Sequence, residues 1–275
     1  MNRDLNKIYT KGDIFNQLEK MGAPRNSIVM MHSSLRLVGN VEGGAQGLLD
    51  TLIEYFTANG GFFCVPTHTW RNLKNDIVLD MTDPNTSLGA FSNIAAADSR
   101  GVRSENPTHS TVVFGNRKLA EELVKDELWV ESGTSPDSLY GKLYKLGGKV
   151  LLVGVAQDRN TYIHAVDEII GVPNRLSAEK REVTVKRASG ELVKTSIYTH
   201  YSDFTKDVSR RFTRFETAFR YHGAITDGFI GNAPTQLCDA RTIKKTVELI
   251  FKNRQGDPLA GDYEIIAPKL FAKPI

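Results

Sequence analysis

Residues 149–168 read KVLLVGVAQDRNTYIHAVDE, and they give the clearest indication of the class of fold. Its first seven residues are almost entirely apolar, which predicts a buried central strand. A polar turn follows, and the remaining residues lead into a helix. A strand that passes through a turn into a helix is the unit of layered α/β proteins, in which ligands bind beyond the carboxyl ends of the strands. We therefore expect functional side chains where this strand gives way to the helix.

His164 and Asp167 are the residues of this stretch with the clearest chemistry. They are three residues apart, so they lie on one face of the predicted helix. A carboxylate beside an imidazole makes the imidazole more basic and helps to fix its tautomer. Such a histidine could take a proton from an attacking amine, but the same spacing also occurs in ordinary surface pairs. A metal site formed by His164 and Glu168 is the weaker interpretation, because no third ligand is nearby.

Strands and helices alternate throughout the first two thirds of the chain. This alternation predicts an α/β fold with a mainly parallel central sheet flanked by helices. Two alternating segments around Ser189-Gly190 predict a hairpin, which adds an antiparallel part towards the C-terminus. No linker-like segment divides residues 1–275, so we expect one domain. The predicted strands are 27–31, 62–66, 111–115, 149–155, 181–187 and 192–198, and the predicted helices are 10–21, 45–56, 88–97, 118–124, 138–146, 204–219 and 242–252.

The composition excludes several classes of protein. The chain has 275 residues, of which 40% are apolar and 24% charged, as is usual for a globular protein that can bury a sizeable core. A net charge of +3 without a dense basic stripe argues against a nucleic-acid partner. The sequence has neither a signal peptide nor a membrane span, so we expect a cytoplasmic protein without a membrane partner. Cys64 and Cys238 lack metal-binding or disulfide spacing and are interpreted as buried residues.

A second candidate site follows the first predicted strand, where residues 31–44 read MHSSLRLVGNVEGG. Ser33, Ser34 and Arg36 supply two hydroxyls and a guanidinium, and Gly43 stands just before a predicted helix. Backbone N–H groups at a helix start favour anions, and glycine permits their close approach. The segment therefore predicts an anion cradle. It has neither the Gly-Lys-Ser/Thr ending of a Walker loop nor a Gly-x-Gly-x-x-Gly motif. A glycine-rich connection between a strand and a helix, without a ligand, would have the same sequence pattern.

Three further segments are candidates for the walls of a binding site. Residues 103–110 (RSENPTHS) are rich in hydrogen-bond donors, and they could hold a phosphate or an amide or form a well-capped surface loop. Trp70 follows a predicted strand, where it could stack on a sugar or belong to the core. Residues 223–240 have glycine spacing that indicates tight turns, with either a structural or a substrate-binding role. Residues 71–85 have weak periodicity and many turn-forming residues, which predicts a long loop.

In their order along the chain, these segments resemble the aminoglycoside N3-acetyltransferase family, which has the antibiotic N-acetyltransferase fold. The resemblance extends from about Thr10 to Ile250 and rests on five blocks in order rather than on one motif. The blocks are His32-Ser33-Ser34 with Gly43-Gly44; Pro66-Thr67-His68-Thr69-Trp70; Arg103-Ser104 with Asn106-Pro107 and Ser110; Ser135-Pro136, residues 151–155, Asn160-Thr161, His164 and Asp167; and Gly228, Ile230-Gly231, Ala233 and Asp239-Ala240.

The resemblance implies an acyltransferase that uses acetyl-CoA as donor and a primary amine as acceptor. The acceptor would be the 3-amino group of a 2-deoxystreptamine aminoglycoside. His164 would be the general base of a direct transfer, with Asp167 as its partner at a position where many members have Glu. Neither cysteine falls where the family has a catalytic residue, and no metal is expected. The CoA-binding residues would be Ser33, Ser34, Arg36, Gly43, Ser104 and Ser110.

The acceptor site should carry negative charge, because aminoglycosides are polycations. Trp70 and Asp203 are the candidate substrate-binding residues. Other carboxylates in the same regions would suit a solvated surface equally well; they are Asp76, Asp80, Asp83 and Asp207.

Three other functions compete with this interpretation. The protein could acetylate a different amine with the same fold, or it could bind CoA without catalysis. It could also be a metal-dependent hydrolase that uses His68, His109 and His164. A homodimer is compatible with the sequence.

Overall fold

The computed structural model describes residues 6–69, 78–200, 207–261 and 264–275. The strands in these ranges are β1 (Ile8–Tyr9), β2 (Ile28–Ser33), β3 (Asn40–Val41), β4 (Phe62–Pro66), β5 (Leu79–Asp80), β6 (Val102–Arg103), β7 (Thr111–Phe114), β8 (Lys149–Val153), β9 (Arg181–Lys186), β10 (Leu192–Ile197), β11 (Ile225–Ile230) and β12 (Ala233–Asp239). The α-helices are α1 (Lys11–Lys20), α2 (Leu35–Val38), α3 (Gly44–Thr57), α4 (Ala90–Ala97), α5 (Arg117–Val124), α6 (Leu139–Leu146), α7 (Tyr162–Ile170), α8 (Glu216–Tyr221) and α9 (Ala240–Arg254). Across these ranges, no helix combines the length and the apolar character that a membrane crossing requires.

A seven-stranded sheet forms the centre of the fold, in the order β11-β12-β8-β2-β4-β7-β6. β2 pairs in parallel with β8 and β4, whereas the other four pairings are antiparallel. The prediction of an α/β protein with helices around a large sheet is confirmed. The sheet is mixed, however, and not mainly parallel as expected. Hydrophobic patterns mark a strand as buried but carry no information about its direction, which the connections decide.

The central strand β8 shows how the sheet separates two cores. Residues Val150–Val153 are completely buried, and successive side chains point to opposite faces of the sheet. Val150 and Leu152 pack with residues of α6, α7 and α9, whereas Leu151 and Val153 pack with residues of α1 and α3. Full burial of one such side chain stabilises the fold by about 1.5–3 kcal/mol relative to its exposure.

The helices begin and end at residues with clear capping chemistry. Thr10 and Asp13 form a capping box at the start of α1, in which each side chain accepts a hydrogen bond from the other residue's backbone. Ser138 and Asp239 cap α6 and α9 with their side chains. Gly147 ends α6 in the left-handed conformation that glycine adopts readily. These signals explain why the boundaries predicted for the three helices lie within two residues of the observed ones.

A smaller sheet in the order β10-β9-β5 lies beside the main sheet. β9 and β10 form the predicted antiparallel hairpin. Strand β5 falls inside the segment that the sequence predicts as a long loop, and it pairs in parallel with β9. Directly after β10, Tyr198 and His200 form isolated bridges with Ser132 and Leu176. This arrangement carries His200 back towards the carboxyl end of the main sheet.

Two predictions for the C-terminal third differ from the structure. The described part of the helix predicted at 204–219 begins as a 3-10 segment, Val208–Phe215, and continues as α8. The glycine-rich segment 223–232, for which the sequence predicts turns and only short strands, contains the whole of β11, and β12 follows it unpredicted. β12 includes Pro234 and polar residues, and it is a strand because it pairs along β8. Tertiary pairing here prevails over weak local propensity.

Candidate active site

A cavity of about 830 Å³ opens at the carboxyl ends of β2, β4 and β8. Residues 31–36 form one wall, Val65, Pro66 and His68 form a second, and the connection from Val155 to α7 forms a third. The three strands run in parallel, so the residues that follow them meet at one edge of the sheet. The cavity therefore lies where the strand at 149–153 led us to expect ligand binding.

His164 lies near the start of α7 and lines the cavity, where its side chain is half-buried. Its ring stacks on that of His200, with 4.1 Å between centroids and 14° between planes, and it meets the edge of Phe212 at 4.8 Å. Burial holds the pKa of His164 well below its usual value, and the charges of His200 and Arg175 act in the same direction. The imidazole is therefore neutral near neutral pH and free to accept a proton.

Asp167 does not form the expected pair with His164. Its side chain is completely buried, and Oδ2 accepts a hydrogen bond of 2.6 Å from Nε of Arg175. The second oxygen, Oδ1, has no hydrogen-bond partner within the described residues. Arg175 in turn donates two hydrogen bonds, of 2.6 and 3.0 Å, to Asp257. Asp167 therefore belongs to a buried ion-pair cluster beneath the cavity, and its role as the partner of His164 is corrected.

The path of the chain after α7 explains this correction. Gly171 ends the helix in the left-handed conformation, with φ 73°, and its N–H bonds the carbonyls of Asp167 and Glu168. The N–H of Val172 also bonds the carbonyl of Asp167. This reversal brings Arg175 back to the helix, where its Nε lies 2.6 Å from the Asp167 carboxylate. A spacing of three residues places two side chains on one helix face but does not make them partners.

Five of the six histidines line the cavity, among them His32, His68 and His109. His68 Nε2 lies 2.6 Å from the hydroxyl of Tyr140, and His109 Nδ1 lies 2.9 Å from that of Thr108. Burial lowers the pKa of His32 to about 4 and holds the pKa values of His68 and His109 well below the usual range. These three imidazoles of the cavity wall are thus predominantly neutral near neutral pH. The sequence marks the motif around His32, but no local pattern points to His200.

A hydrogen-bonded network fixes His200 in the cavity. Thr134 Oγ1 lies 2.7 Å from His200 Nε2 and donates a hydrogen bond of 2.5 Å to Glu168 Oε1. Ser132 donates to the other oxygen of Glu168, also at 2.5 Å. His200 Nε2 lies 3.6 Å from Glu168 Oε1. The carboxylate that faces the imidazoles therefore comes from Glu168, the residue after Asp167.

Three of the four residues of the predicted anion cradle lie at the cavity. Ser33, Ser34 and Arg36 line the cavity, and the backbone N–H of Ser34 is tied to the carbonyl of Val153 at 2.8 Å. Gly43 lies outside the cavity, exposed at the start of α3 with φ 71°. The short helix α2 and strand β3 intervene between the serines and α3, so the helix start does not reach the site. The expected contribution of Gly43 is therefore corrected.

Ser104 and Ser110 are also not placed for ligand contact. Both side chains are completely buried and neither lines the cavity. Ser104 Oγ accepts a hydrogen bond from the N–H of Thr111, and Ser110 Oγ donates to the carbonyl of Ser104. Arg103 Nε donates to Ser110 Oγ at 3.2 Å. These groups use their hydrogen-bonding capacity to fold the loop at 103–110, which corrects the expectation that the two serines bind CoA.

The substrate-binding residues Trp70 and Asp203 lie outside the described residues, as does Asp76. Asp207 lines the cavity. Asp80 does not act as a free carboxylate, because it forms an ion pair of 2.8 Å with Lys186 that lowers its pKa to about 2. In the described ranges, no group of three or more His, Cys, Asp or Glu side chains is arranged to hold a metal ion, the set His68, His109 and His164 included.

Gly133 illustrates how tightly the floor of the cavity is packed. An alanine Cβ at this position would overlap His109 Nδ1 and lie 2.5 Å from Thr108 Oγ1. We expect Gly133→Ala to lower the free energy of unfolding by about 1–3 kcal/mol, as overpacking usually does. Chemical denaturation measures this loss. Gly12→Ala in α1 is the control, since its Cβ would meet only Thr10 Oγ1 at 3.7 Å and alanine favours helices. Equal stability of the two variants would contradict the packing argument.

Comparison with known proteins finds a family match over most of the chain. The family model of aminoglycoside 3-N-acetyltransferase matches residues 30–252. Aminoglycoside N(3)-acetyltransferase IV from a Salmonella species is 26% identical over 239 residues, which cover 86% of this chain and 85% of the relative.

Solved structures show the same fold. A variant of the aminoglycoside acetyltransferase AAC(3)-IVa in complex with a gentamicin matches 98% of this chain and 100% of its own, with a TM-score of 0.74 and 24% identity. A binary complex of AAC-IIIb with CoASH matches 92% of this chain and 99% of its own, with a TM-score of 0.76 and 22% identity. Since the family model spans most of the sequence, including the strand ends that form the cavity, the chain belongs to the aminoglycoside 3-N-acetyltransferase family and is an acyltransferase.

Proposed function

We propose that this protein transfers the acetyl group of acetyl-CoA directly to an amine, in the first place the 3-amino group of a 2-deoxystreptamine aminoglycoside. The observation that carries the proposal is the position of His164, a neutral imidazole in a cavity that also offers two hydroxyls and a guanidinium from its other wall. Family membership supports the reaction class, and relatives named for aminoglycosides and for CoASH support the two substrates.

His164 acts as the general base in this proposal. The amine nitrogen attacks the thioester carbonyl, a C–N bond forms and the C–S bond breaks. The nitrogen must lose a proton during attack, and the imidazole accepts it and returns it to the sulfur of CoA. A low pKa keeps His164 unprotonated before the reaction. The imidazole does not need Asp167 for this purpose, since that carboxylate is paired with Arg175.

The cysteines support direct transfer rather than an acetyl-cysteine intermediate. Cys64 and Cys238 are completely buried, and neither lines the cavity. Burial raises the pKa of both thiols, that of Cys238 to about 12. A thiol with a raised pKa is a poor nucleophile, because the thiolate is the reactive species.

Arg36 is expected to bind the phosphates of the donor. Its side chain is exposed at the cavity wall, where a guanidinium suits an anionic group. We expect Arg36→Gln to raise the KM for acetyl-CoA by about fivefold with little change in kcat, because an exposed ion pair contributes at most about 1 kcal/mol. Steady-state kinetics at low and high salt measure this effect, which should shrink at high salt. Arg117→Gln on α5, away from the cavity, is the matched control, and a kcat effect without a KM effect would contradict this role.

Two carboxylates of the described cavity wall, Asp158 and Asp207, are available to an amine substrate. Asp158 also contacts Arg159 at 3.3 Å, so part of its charge is already balanced. This modest acidity is the reason to include simpler amines beside polycationic aminoglycosides as acceptors.

The test is the release of free CoA from acetyl-CoA by purified protein across a panel of aminoglycosides and simpler amines. Release with a 2-deoxystreptamine aminoglycoside, and mass spectrometry that places the acetyl group on the 3-amino nitrogen, would support the proposal in full. Release of CoA only with other amines would overturn the aminoglycoside as acceptor but would still support acetyl transfer to an amine. Tight CoA binding without release for any amine would overturn the enzymatic proposal and favour a CoA-binding protein.

A further inference from the structure

His200 is a second imidazole in the cavity, and the reaction with a single base leaves it unused. Its ring lies 4.1 Å from that of His164 and 5.0 Å from that of His109, between centroids. The backbone is held at two points, by the bridge of His200 with Leu176 and by that of Tyr198 with Ser132. The residue is therefore fixed within the cavity wall and not on a free loop tip.

The hydrogen bonds around Thr134 assign the protonation of His200. The threonine hydroxyl has one hydrogen, and it donates this hydrogen to Glu168 Oε1. Towards His200 the same oxygen can only accept, so Nε2 of His200 carries the hydrogen and donates it over 2.7 Å. The other nitrogen, Nδ1, then holds the lone pair. His200 thus has the arrangement of a base: Nδ1 can accept a proton, and Nε2 is linked through the Thr134 hydroxyl to the Glu168 carboxylate.

The two stacked imidazoles differ in the charge that lies behind them. The guanidinium of Arg175 opposes a positive charge on His164. The carboxylate of Glu168, 3.6 Å from His200 Nε2 and only 7% exposed, favours a positive charge on His200. Two stacked imidazolium ions would repel each other, so the pair holds at most one proton at low cost.

The chemistry of the acceptor requires two proton removals. An alkyl amine is an ammonium ion near neutral pH, and it must lose one proton before its nitrogen has a lone pair for attack. The nitrogen loses a second proton when the amide forms, and the departing thiolate of CoA takes up one. The net reaction therefore releases one proton, which must reach solvent either directly or through a base other than the one that serves the thiolate.

We propose that His200 is a second base, which takes the proton of the ammonium ion while His164 takes the proton released on attack. This inference rests on the proposed function. In the first step, Nδ1 of His200 accepts a proton and the acceptor becomes a neutral amine. In the second step the amine attacks, His164 accepts the proton from nitrogen, and that proton passes to the sulfur of CoA. The imidazolium of His200 then gives its proton to solvent. Thr134 and Glu168 are positioning residues, which hold the tautomer of His200 and stabilise its charged form.

The pH dependence of the acceptor's kcat/KM tests this division of labour. The groups that face His200 are His109 and His164 on either side and Glu168 behind, with the Asp167–Arg175 pair further below. We expect Glu168→Gln and His200→Gln to lower kcat/KM about 10²-fold near pH 6, where the acceptor is an ammonium ion. The loss should shrink as the pH approaches the pKa of the acceptor amine, because that amine no longer needs deprotonation. His164→Ala should show a loss that persists at every pH.

Three controls separate this role from a structural one. Thr134→Val should show the same pH-dependent loss of kcat/KM as Glu168→Gln. Thr134→Ser, which keeps the hydroxyl, should have the kcat/KM of wild type. Glu182→Gln on the exposed face of β9 should leave the profile unchanged. Thermal unfolding of every variant should be compared with wild type.

Failure of this inference is distinguishable from failure of the proposed function. If wild-type protein releases CoA with an amine, but the Glu168 and His200 variants keep wild-type kcat/KM or lose it equally at all pH values, the second base is overturned alone. If wild type releases no CoA with any amine, both proposals are overturned together.

Discussion

The His164→Ala variant should lose kcat for acetyl transfer by about 10²- to 10⁴-fold while its affinity for CoA stays that of wild type. The imidazole is the proposed acceptor of the proton that leaves the attacking nitrogen, and alanine offers no group for that proton. The residues proposed to bind the anionic donor lie on the wall formed by β2 and α2, so we expect the substitution to leave the donor site intact. Stopped-flow or steady-state CoA release gives kcat, and calorimetry gives the affinity for CoA.

His222 provides a matched control for this prediction. All six histidines lie within the described ranges, and His222 is the one that does not line the cavity; its Nε2 lies 2.9 Å from the carbonyl of Phe271. His222→Ala should therefore keep kcat. His164→Gln, which retains more of the side-chain volume beside Phe212, should be as inactive as His164→Ala. Turnover near the wild-type rate in either His164 variant would refute the role of the imidazole as base.

The Arg175→Met variant should lose about 3–5 kcal/mol of the free energy of unfolding. Arg175 is only 5% exposed and lies between two carboxylates, at 2.6 Å from each. Its removal leaves Asp167 completely buried without a counter-charge, and an unpaired buried charge is strongly destabilising. Urea denaturation monitored by circular dichroism measures the loss.

The loss in Arg175→Met should also depend on pH. Burial raises the pKa of Asp167 to about 6 in the folded protein even though Arg175 opposes this shift. Without the guanidinium the folded-state pKa rises further above that of the unfolded chain. A raised folded-state pKa gives stability at low pH that is lost as the pH rises through that pKa, so the deficit of the variant should be smaller near pH 5 than near pH 8.

Two further variants test whether the loss in Arg175→Met comes from the buried ion-pair cluster. Arg220 also bridges two carboxylates, Glu216 and Asp227, but it is 40% exposed. Arg220→Met should therefore cost no more than about 1 kcal/mol. Addition of Asp167→Asn to Arg175→Met should recover much of the loss, because it removes the stranded charge. Equal stability of Arg175→Met and wild type would show that the cluster contributes nothing net.

Much of the secondary structure is predictable because its signals are local. The strand predicted at 62–66 has its observed bounds, and the helix predicted at 138–146 agrees with the structure to within one residue. Continuous apolar runs, capping side chains and glycine stops act over a few residues, so the sequence states them directly. Strand β12 escapes prediction because its identity depends on pairing with β8, which local composition does not express.

The candidate site is predictable only in part. His164, Ser33, Ser34 and Arg36 line the cavity, as their positions after strands suggest. Ser104 and Ser110 stand in a donor-rich segment, yet their hydrogen bonds serve the loop itself. A donor-rich sequence does not reveal whether its donors point to a ligand or to its own backbone.

The amino-acid sequence is sufficient to identify the family, the α/β class and the strand end from which His164 enters the cavity, because ordered local motifs carry this information. The pairing of each carboxylate with its partner side chain, by contrast, depends on the three-dimensional fold. Arg175 lies beside α7 and forms an ion pair with Asp167. The connection after β10 brings His200 to Thr134, which also bonds Glu168. Helical spacing fixes a shared face, but hydrogen-bond partners are settled by competition among all groups that the fold brings within about 3 Å, including those far away in the chain.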